Sequence, residues 1–307
     1  MIVETFIQQV INGLTLGSVY ALIALGYTMV YGIIKLLNFA HGDIFMVGSF
    51  ISYYLILSFD MNIFVAFLLT MALTAVLGVV IDQVAYKPLR TSPRISALIT
   101  AIGVSYLLRN GMIVITGAET RAYLQVFDNV PLFLTQSIQI GNITVKTMQI
   151  ILLLTTIVLM VSLQFIVQKT KMGKAMRAVS VDPEAAQLMG IDTNIVIAFT
   201  FVLGSALAGA SGMLVGIYYN SISPMLGAGY GTKAFVAAVI GGIGLIPGAV
   251  LGGYLLGMIE VMITAYGNSM IRDAVVYIIL IVILLLRPAG LLGNSQSEKV
   301  CQCLSGG

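Results

Sequence analysis

The sequence predicts an all-α polytopic membrane protein with eight or nine transmembrane helices, Gly-rich broken or re-entrant segments and an inverted repeat. Three observations carry that prediction. Of 307 residues, 59% are hydrophobic and only 9% charged, with a mean hydropathy of +1.04. A water-solvated domain carries about a quarter charged residues, so this inventory cannot clothe a soluble surface. Apolar runs of spanning length recur along the whole chain, each able to cross a hydrocarbon layer roughly 30 Å thick. Short segments of alternating hydrophobicity, the mark of a membrane β-barrel, are not visible.

In chain order the runs fall at 6–33, 39–57, 62–82, 95–116, 147–168, 195–219, 232–246, 249–266 and 271–287. The run at 232–246 is short enough either to cross or to enter and turn back. The first run begins almost at once without a basic leader and outlasts a signal h-region, so no cleavable signal is expected. Trp is absent, and Tyr53, Tyr54, Tyr218 and Tyr219 near run ends are candidates for interfacial anchors. Both cysteines lie in "CQC" at 301–303, within a tail (294–307) expected to be disordered. A metal or lipidation site there is the weaker reading of a lone CxC, and the single His has no clustered partner for a metal.

Basic residues set the orientation. "AYKPLRTSPR" (85–94) holds Lys87, Arg90 and Arg94; "QKTKMGKAMR" (168–177) holds Lys169, Lys171, Lys174 and Arg177. Both segments are expected to be cytoplasmic, and the two crossings between them make the assignments agree. The longer, nearly balanced stretch 117–146 then lies outside. So does the N-terminus, while Arg287 lies inside if 232–246 crosses.

Glycine is abundant, at 32 residues, and patterned. Gly13/Gly17, Gly212/Gly216, Gly248/Gly252 and Gly253/Gly257 have the GxxxG spacing that lets helix backbones approach closely. "NFAHGD" (38–43), "GAGYGTK" (227–233) and "GGIGLIPGAVLGG" (241–253) interrupt apolar regions. Non-helical backbone at membrane depth is tolerated only inside protein or beside a cavity. Asn38, His41, Gly42, Gly229, Gly241, Gly242, Gly244, Pro247 and Gly248 are therefore the candidates for lining a translocation pathway. A faint echo joins the halves. "LGSVYAL" (16–22), Tyr31 and Gly42 line up at one offset with "LGSALAG" (203–209), Tyr218 and Gly229. On the topology above the two copies run in opposite directions, as in inverted-repeat transporters.

Ionisable residues inside runs are few. Asp82, Lys233 and Arg272 lie near run ends and can snorkel. Arg109, Glu260 and the Asp43/His41 pair lie deeper. An ion relay would need more: with one such group per run and no acidic cluster, local ion pairs or hydrogen bonds to a backbone break are the expected roles. No catalytic residues are expected, since no GxSxG, HExxH or CxxC occurs and no nucleophile–base pair can be named. "MGKAMR" lacks the glycines and Ser/Thr of a P-loop, so ATP, if used, is bound by another chain.

"SVDPEAAQLMGID" (180–192) is the one polar helix between long apolar runs. Asp182 suits an N-cap, Pro183 the first helical position and Glu184 the positive end of the dipole, and Gly190 stops the helix. Leu188 and Met189 give it an apolar tip. So short a helix needs something to pack on. Its own protein's surface and a partner's groove both satisfy that need.

"EAAQLMG" (184–190) resembles the EAA motif of ABC importer permeases, whose coupling helix docks on an ATPase. The residues assigned to coupling by that resemblance are Asp182, Pro183, Glu184, Ala185, Ala186, Gln187, Leu188, Met189 and Gly190. The likeness is wider. Residues 12–50, 85–105, 171–191 and 233–253, and the ending "LRPAGLLG" (286–293), resemble LivH-type permeases of branched-chain amino acid importers. The resemblance implies a non-enzymatic permease domain over 1–293 with a cytoplasmic coupling loop at 169–194. It implies a LivM-like second permease, LivG- and LivF-like ATPases carrying ATP and Mg, an extracytoplasmic binding protein, and a bacterial inner membrane with its lipid. No nucleic acid partner is implied. Leucine, isoleucine and valine are the usual cargo; urea, amides and other amino acids are carried by the same permease type. A self-sufficient secondary transporter or channel is the alternative outside that class. No residue stands out in the sequence as a partner for an amino acid's charged groups.

Overall fold

The computed structural model describes residues 2–90, 92–123 and 136–293. Eleven α-helices and one hairpin make up the fold of these residues. In order they are α1 (Ile2–Ile34), α2 (His41–Phe59), α3 (Ile63–Ile81), α4 (Arg94–Thr116), β1 (Ser137–Ile140), β2 (Ile143–Lys146) and α5 (Thr147–Lys169). There follow α6 (Lys171–Val181), α7 (Pro183–Leu188), α8 (Thr193–Tyr219), α9 (Leu226–Gly241), α10 (Ile246–Tyr266) and α11 (Arg272–Leu286). Eight of the apolar helical stretches are long enough to cross a membrane, and α9, with 16 residues, is the short ninth.

α1, α2 and α8 are largely buried, whereas α4, α5 and α11 turn most of their apolar surface outward. A helix apolar all round and exposed all round has lipid as its solvent. The helices at the centre meet through small residues. A Cβ on Gly17 would meet the Tyr254 backbone at 2.7 Å, and one on Gly253 would meet the Ala21 backbone at 2.6 Å, so α1 and α10 touch main chain to main chain. α3 and α8 also approach closely, with glycine against a short side chain: Gly78 lies on Ser205, and Gly209 on Thr74. Without water to drive apolar surfaces together, such close approach supplies the attraction.

This packing has the symmetry the sequence echo implies. The first helix of each half (α1, α8) lies against the third helix of the other (α10, α3), and the two first helices meet at Gly26 and Gly204. Each first helix is followed by a residue in the left-handed region, Lys35 (φ 57°) and Asn220 (φ 52°). The chain then turns, and the second helices start facing one another, with Gly42 of α2 against Gly227 and Gly231 of α9.

The two faces of the bundle are set by contacts. Gln8, near the start of α1, exchanges hydrogen bonds with Thr144 of the hairpin (Thr144 N to Gln8 Oε1, 2.8 Å). Arg90, after α3, donates from Nη1 to Asn194 Oδ1 at the start of α8 (2.5 Å) and from Nη2 to buried Asp82 (2.7 Å). The basic segments at 85–94 and 168–177 therefore share one face, opposite the N-terminus.

Several local expectations change. Residues 227–233 are not a break but the first turns of α9, and the apolar run drawn at 232–246 forms a helix over 226–241. The interruption there is 242–245, where Gly242 (φ 107°) and Gly244 (φ 98°) take conformations closed to side chains. The basic loop is itself helical, as α6. Tyr53 is not an interfacial anchor; it is buried, edge-on to Tyr123, whose hydroxyl bonds Ser52 (2.7 Å). Tyr54 instead accepts from Arg121 (3.0 Å). The C-terminal tail, including Cys301 and Cys303, lies outside the described residues.

Candidate functional site

On the basic face, α6 buries Met176 and Val179 and leads straight into α7. Asp182 separates them and caps α7, its carboxylate accepting from Glu184 N (2.9 Å) and Ala185 N (3.0 Å). Such a cap stabilises a helix by about 1 kcal/mol. At the other end Ile191 N bonds Ala186 O (3.0 Å) and Gly190 N bonds Gln187 O (2.9 Å), with Gly190 at φ 82°. That pair of bonds is a Schellman closure, which favours glycine at its left-handed position. Ala186 faces inward, and Gln187 ties the helix to Thr193 (2.7 Å). Pro183, Glu184 and Ala185 stay exposed. Leu188 and Met189 stand out at 89% and 82% exposure. The short helix is thus fixed at both ends and presents an apolar tip outward.

At the start of α2, Asn38 accepts from Tyr86 OH (2.9 Å) and Ala40 N (3.1 Å). Tyr86 belongs to a π-helical turn, Asp82–Tyr86, that follows α3. His41 is buried against Gly26 and edge-on to Tyr27 (4.8 Å), and Gly42 gives the close approach to α9. Asp43 pairs with Arg109 of α4 (3.3 Å) and accepts from Ser105. Asp43, Arg109 and Ser105 satisfy one another, as expected of a local ion pair, whereas Asn38 Nδ2 and His41 Nε2 are buried without a hydrogen-bond partner among the described residues.

The second half carries a feature that sequence reading missed. α1, α9, α10 and α11 surround a hollow of about 400 Å³. Lys233 of α9 bonds Glu260 of α10 (2.7 Å) and Asp273 of α11 (2.8 Å). Arg272 Nε lies 3.1 Å from Glu260 and 3.3 Å from Asp273. Tyr20 of α1 donates to the other Glu260 oxygen (2.6 Å), and Tyr230 lies between Tyr20 and Tyr219. Gly229 opens on the hollow with nothing where its Cβ would be. The four charges are 27 or more residues apart in two of their pairings, which is why no local pattern announced them. Glu260, Lys233 and Arg272, singled out as lone charges, and Gly229, a pathway candidate, were the signals the sequence offered.

A second hollow, about 410 Å³, lies on the basic face beside Tyr31, Lys35, Ser180 and Gly244. Along α1 and α9, Tyr27 and Phe235 fall between the two hollows, and they stack together (5.9 Å) with Phe39 on Phe235 (5.8 Å). The remaining pathway candidates form the α9–α10 corner of this face. Gly241 and Gly248 pack on each other, Gly242 lies against Ala289 and Gly293, Gly244 approaches Gly32, and Pro247 is exposed. The structure therefore separates the nine pathway candidates into two groups. Asn38, His41 and Gly42 sit where the second helices meet, with Gly229 at the adjacent hollow. Gly241, Gly242, Gly244, Pro247 and Gly248 sit at the basic face.

Comparison with known proteins identifies the family. Residues 9–284 match the family model described as branched-chain amino acid transport system / permease component. The chain is 42% identical to the high-affinity branched-chain amino acid transport system permease protein LivH of Salmonella typhimurium, over 96% of this chain and 98% of the relative. It is 40% identical, over the same shares, to the corresponding protein BraD of Pseudomonas aeruginosa. The ribose import permease protein RbsC of Haemophilus influenzae is more distant, at 24% identity over 83% of this chain and 76% of the relative. No solved structure matches it. The chain is a multi-pass membrane protein that belongs to the branched-chain amino acid transport system permease family.

Proposed function

We propose that this chain is a permease subunit of an ATP-driven importer for leucine, isoleucine and valine in the bacterial inner membrane. A LivM-like permease, two ATPases of LivG and LivF type and an extracytoplasmic binding protein complete the machine. Family membership and the names of the near relatives support the cargo. ATP and Mg belong to the ATPases, because this chain has no phosphate-binding loop. The basic face is cytoplasmic, in keeping with the excess of Lys and Arg there. The binding protein then delivers cargo to the face bearing the hairpin.

The observation that carries the ATPase partnership is α7. A helix closed by Asp182 and Gly190, with Leu188 and Met189 outward, is a rigid peg with an unpaired apolar tip. Helix-in-groove docking suits such a shape, and Glu184 supplies a polar rim. Movement of the peg reaches the pathway through α8 and through the breaks at 35–40 and 242–245. Residues Asn38, His41 and Gly42 border the pathway where the second helices meet, Gly229 borders it at the Lys233–Glu260 hollow, and 241–248 border it at the basic face.

Co-purification tests the partnership. The chain expressed with its cognate ATPases is expected to carry them through detergent extraction. Leu188→Asp with Met189→Asp is expected to release them while the chain stays monodisperse. Retention of the ATPases by that double variant would contradict the docking role of α7.

A further inference from the structure

We infer that the hollow between α1, α9, α10 and α11 is a binding site for a zwitterionic apolar α-amino acid. In it Arg272 holds the α-carboxylate and Asp273 the α-ammonium. This deepens the amino acid permease reading and rests on it.

The charges are arranged in two tiers. The inner pair, Lys233 and Glu260, has side chains only 12% and 3% exposed. The outer pair, Arg272 and Asp273, is 40% and 59% exposed. Glu260 is held on both oxygens: one takes Tyr20 OH, and the other lies against Lys233 Nζ and Arg272 Nε. Most of its roughly four acceptor positions are thus occupied within the protein, and it pairs with the guanidinium by its Nε edge. Among the described residues neither Nη group of Arg272 donates a hydrogen bond, so the two-pronged edge that suits a carboxylate is free. Asp273 is held by Lys233 on the same oxygen that faces Arg272, which leaves its other oxygen open. An α-amino acid carries its two charged groups on one carbon. It therefore needs an acid and a base side by side, and Arg272 Nε and Asp273 Oδ1 are 3.3 Å apart.

Two acids against two bases leave the network neutral, and a zwitterion keeps it so. A lone anion or cation would leave an uncompensated charge beside the buried inner pair. Leu16, Met225 and Leu226 with the flanks of the tyrosine rings supply an apolar wall, and Ser223 adds one further polar side chain. A volume of about 400 Å³ lies in the range of small-molecule sites, and an apolar wall with a few convergent polar groups is their usual make-up. Gly229 keeps the space open, since a side chain there meets no protein atom within 4 Å. The hollow lies at the far ends of α10 and α8 from the basic face, where the permease reading has cargo arrive.

The test uses the intact importer in nanodiscs without its binding protein, with equilibrium binding of leucine, leucinamide and 4-methylpentanoate. Leucine is expected to bind about tenfold more tightly than either singly charged analogue. Arg272→Gln is expected to weaken leucine by about the same factor and leave leucinamide unchanged. Asp273→Asn should weaken leucine and leave 4-methylpentanoate unchanged. Gly229→Leu should abolish binding of all three while the importer still assembles. A misfolded variant would lose every ligand and its assembly together, so the ligand-selective pattern is the signature. Equal affinity for the three ligands, or leucine binding unmoved by all three variants, would overturn the site. Leucine uptake with the binding protein is measured on the same preparation. Uptake without the selective pattern refutes the site alone; absence of wild-type uptake refutes the cargo reading and the site with it.

Discussion

The two halves of the bundle share a frame and differ in what they do with charge. In the first, Asp43 of α2 meets one base, Arg109 of α4, with Ser105 completing the group. In the second, the equivalent helices α9 and α11 bring Lys233, Arg272 and Asp273 around Glu260 of α10, beside a hollow. A buried acid with one base is a staple. The same helices with a second, half-exposed pair have hydrogen-bonding capacity to spare. The glycine contacts build the scaffold twice, and the two copies differ in the number and exposure of the charges they bring together.

Labelling gives the largest effect. If the halves are inverted, cysteine at Asn142 and cysteine at Lys174 must react from opposite sides of the membrane, with complete discrimination. Reaction of both from one side would break the comparison. Next come the glycine contacts. Gly253→Leu and Gly209→Leu each push apart helices in van der Waals contact, and each is expected to cost about 3 kcal/mol or more. The measurement is yield of monodisperse protein, and both halves should suffer alike. A tolerant Gly209 beside an intolerant Gly253 would show that only one interface is built on close approach.

The charge contrast is smaller. Arg109→Met leaves Asp43 buried beside Ser105 without its base and is expected to lower stability by about 3 kcal/mol, which adding Asp43→Asn largely restores. Arg272→Gln removes only an outer, solvent-screened charge and should cost under about 1 kcal/mol. Thermal midpoints of the purified protein in one detergent check both. Equal losses would mean that the outer pair is a staple as well.

Much of this was legible in the residues. Long apolar runs mark spans because the bilayer sets a length, and Lys87, Arg90, Lys171 and Lys174 marked one face because charge does not cross it cheaply. The ends of α7 were legible too, since Asp182, Pro183 and Gly190 act through local backbone geometry. α6 was hidden by its charge: Lys171, Lys174 and Arg177 read as loop, although Met172, Met176 and Val179 recur at helical spacing. α9 was drawn six residues late because Gly227, Gly229 and Gly231 suggest a break, where the fold uses Gly227 and Gly231 for contact with Gly42 and Gly229 to open on the hollow. The hollow was beyond reach. Glu260 and Lys233 looked like isolated charges, and only the packing of four helices brings Arg272, Asp273 and Tyr20 to them.

In the proposed importer, α7 transmits ATP hydrolysis to transport. Reconstituted vesicles allow ATPase activity and leucine uptake to be measured together for wild type, Glu184→Lys and Gly190→Val. Gly190 meets nothing within 4 Å, so its substitution acts through the strained backbone alone, at a cost on the order of 1 kcal/mol or more. The account predicts that both variants keep ATP hydrolysis and lose uptake, so that leucine carried per ATP falls severalfold. An unchanged ratio in both variants would contradict it.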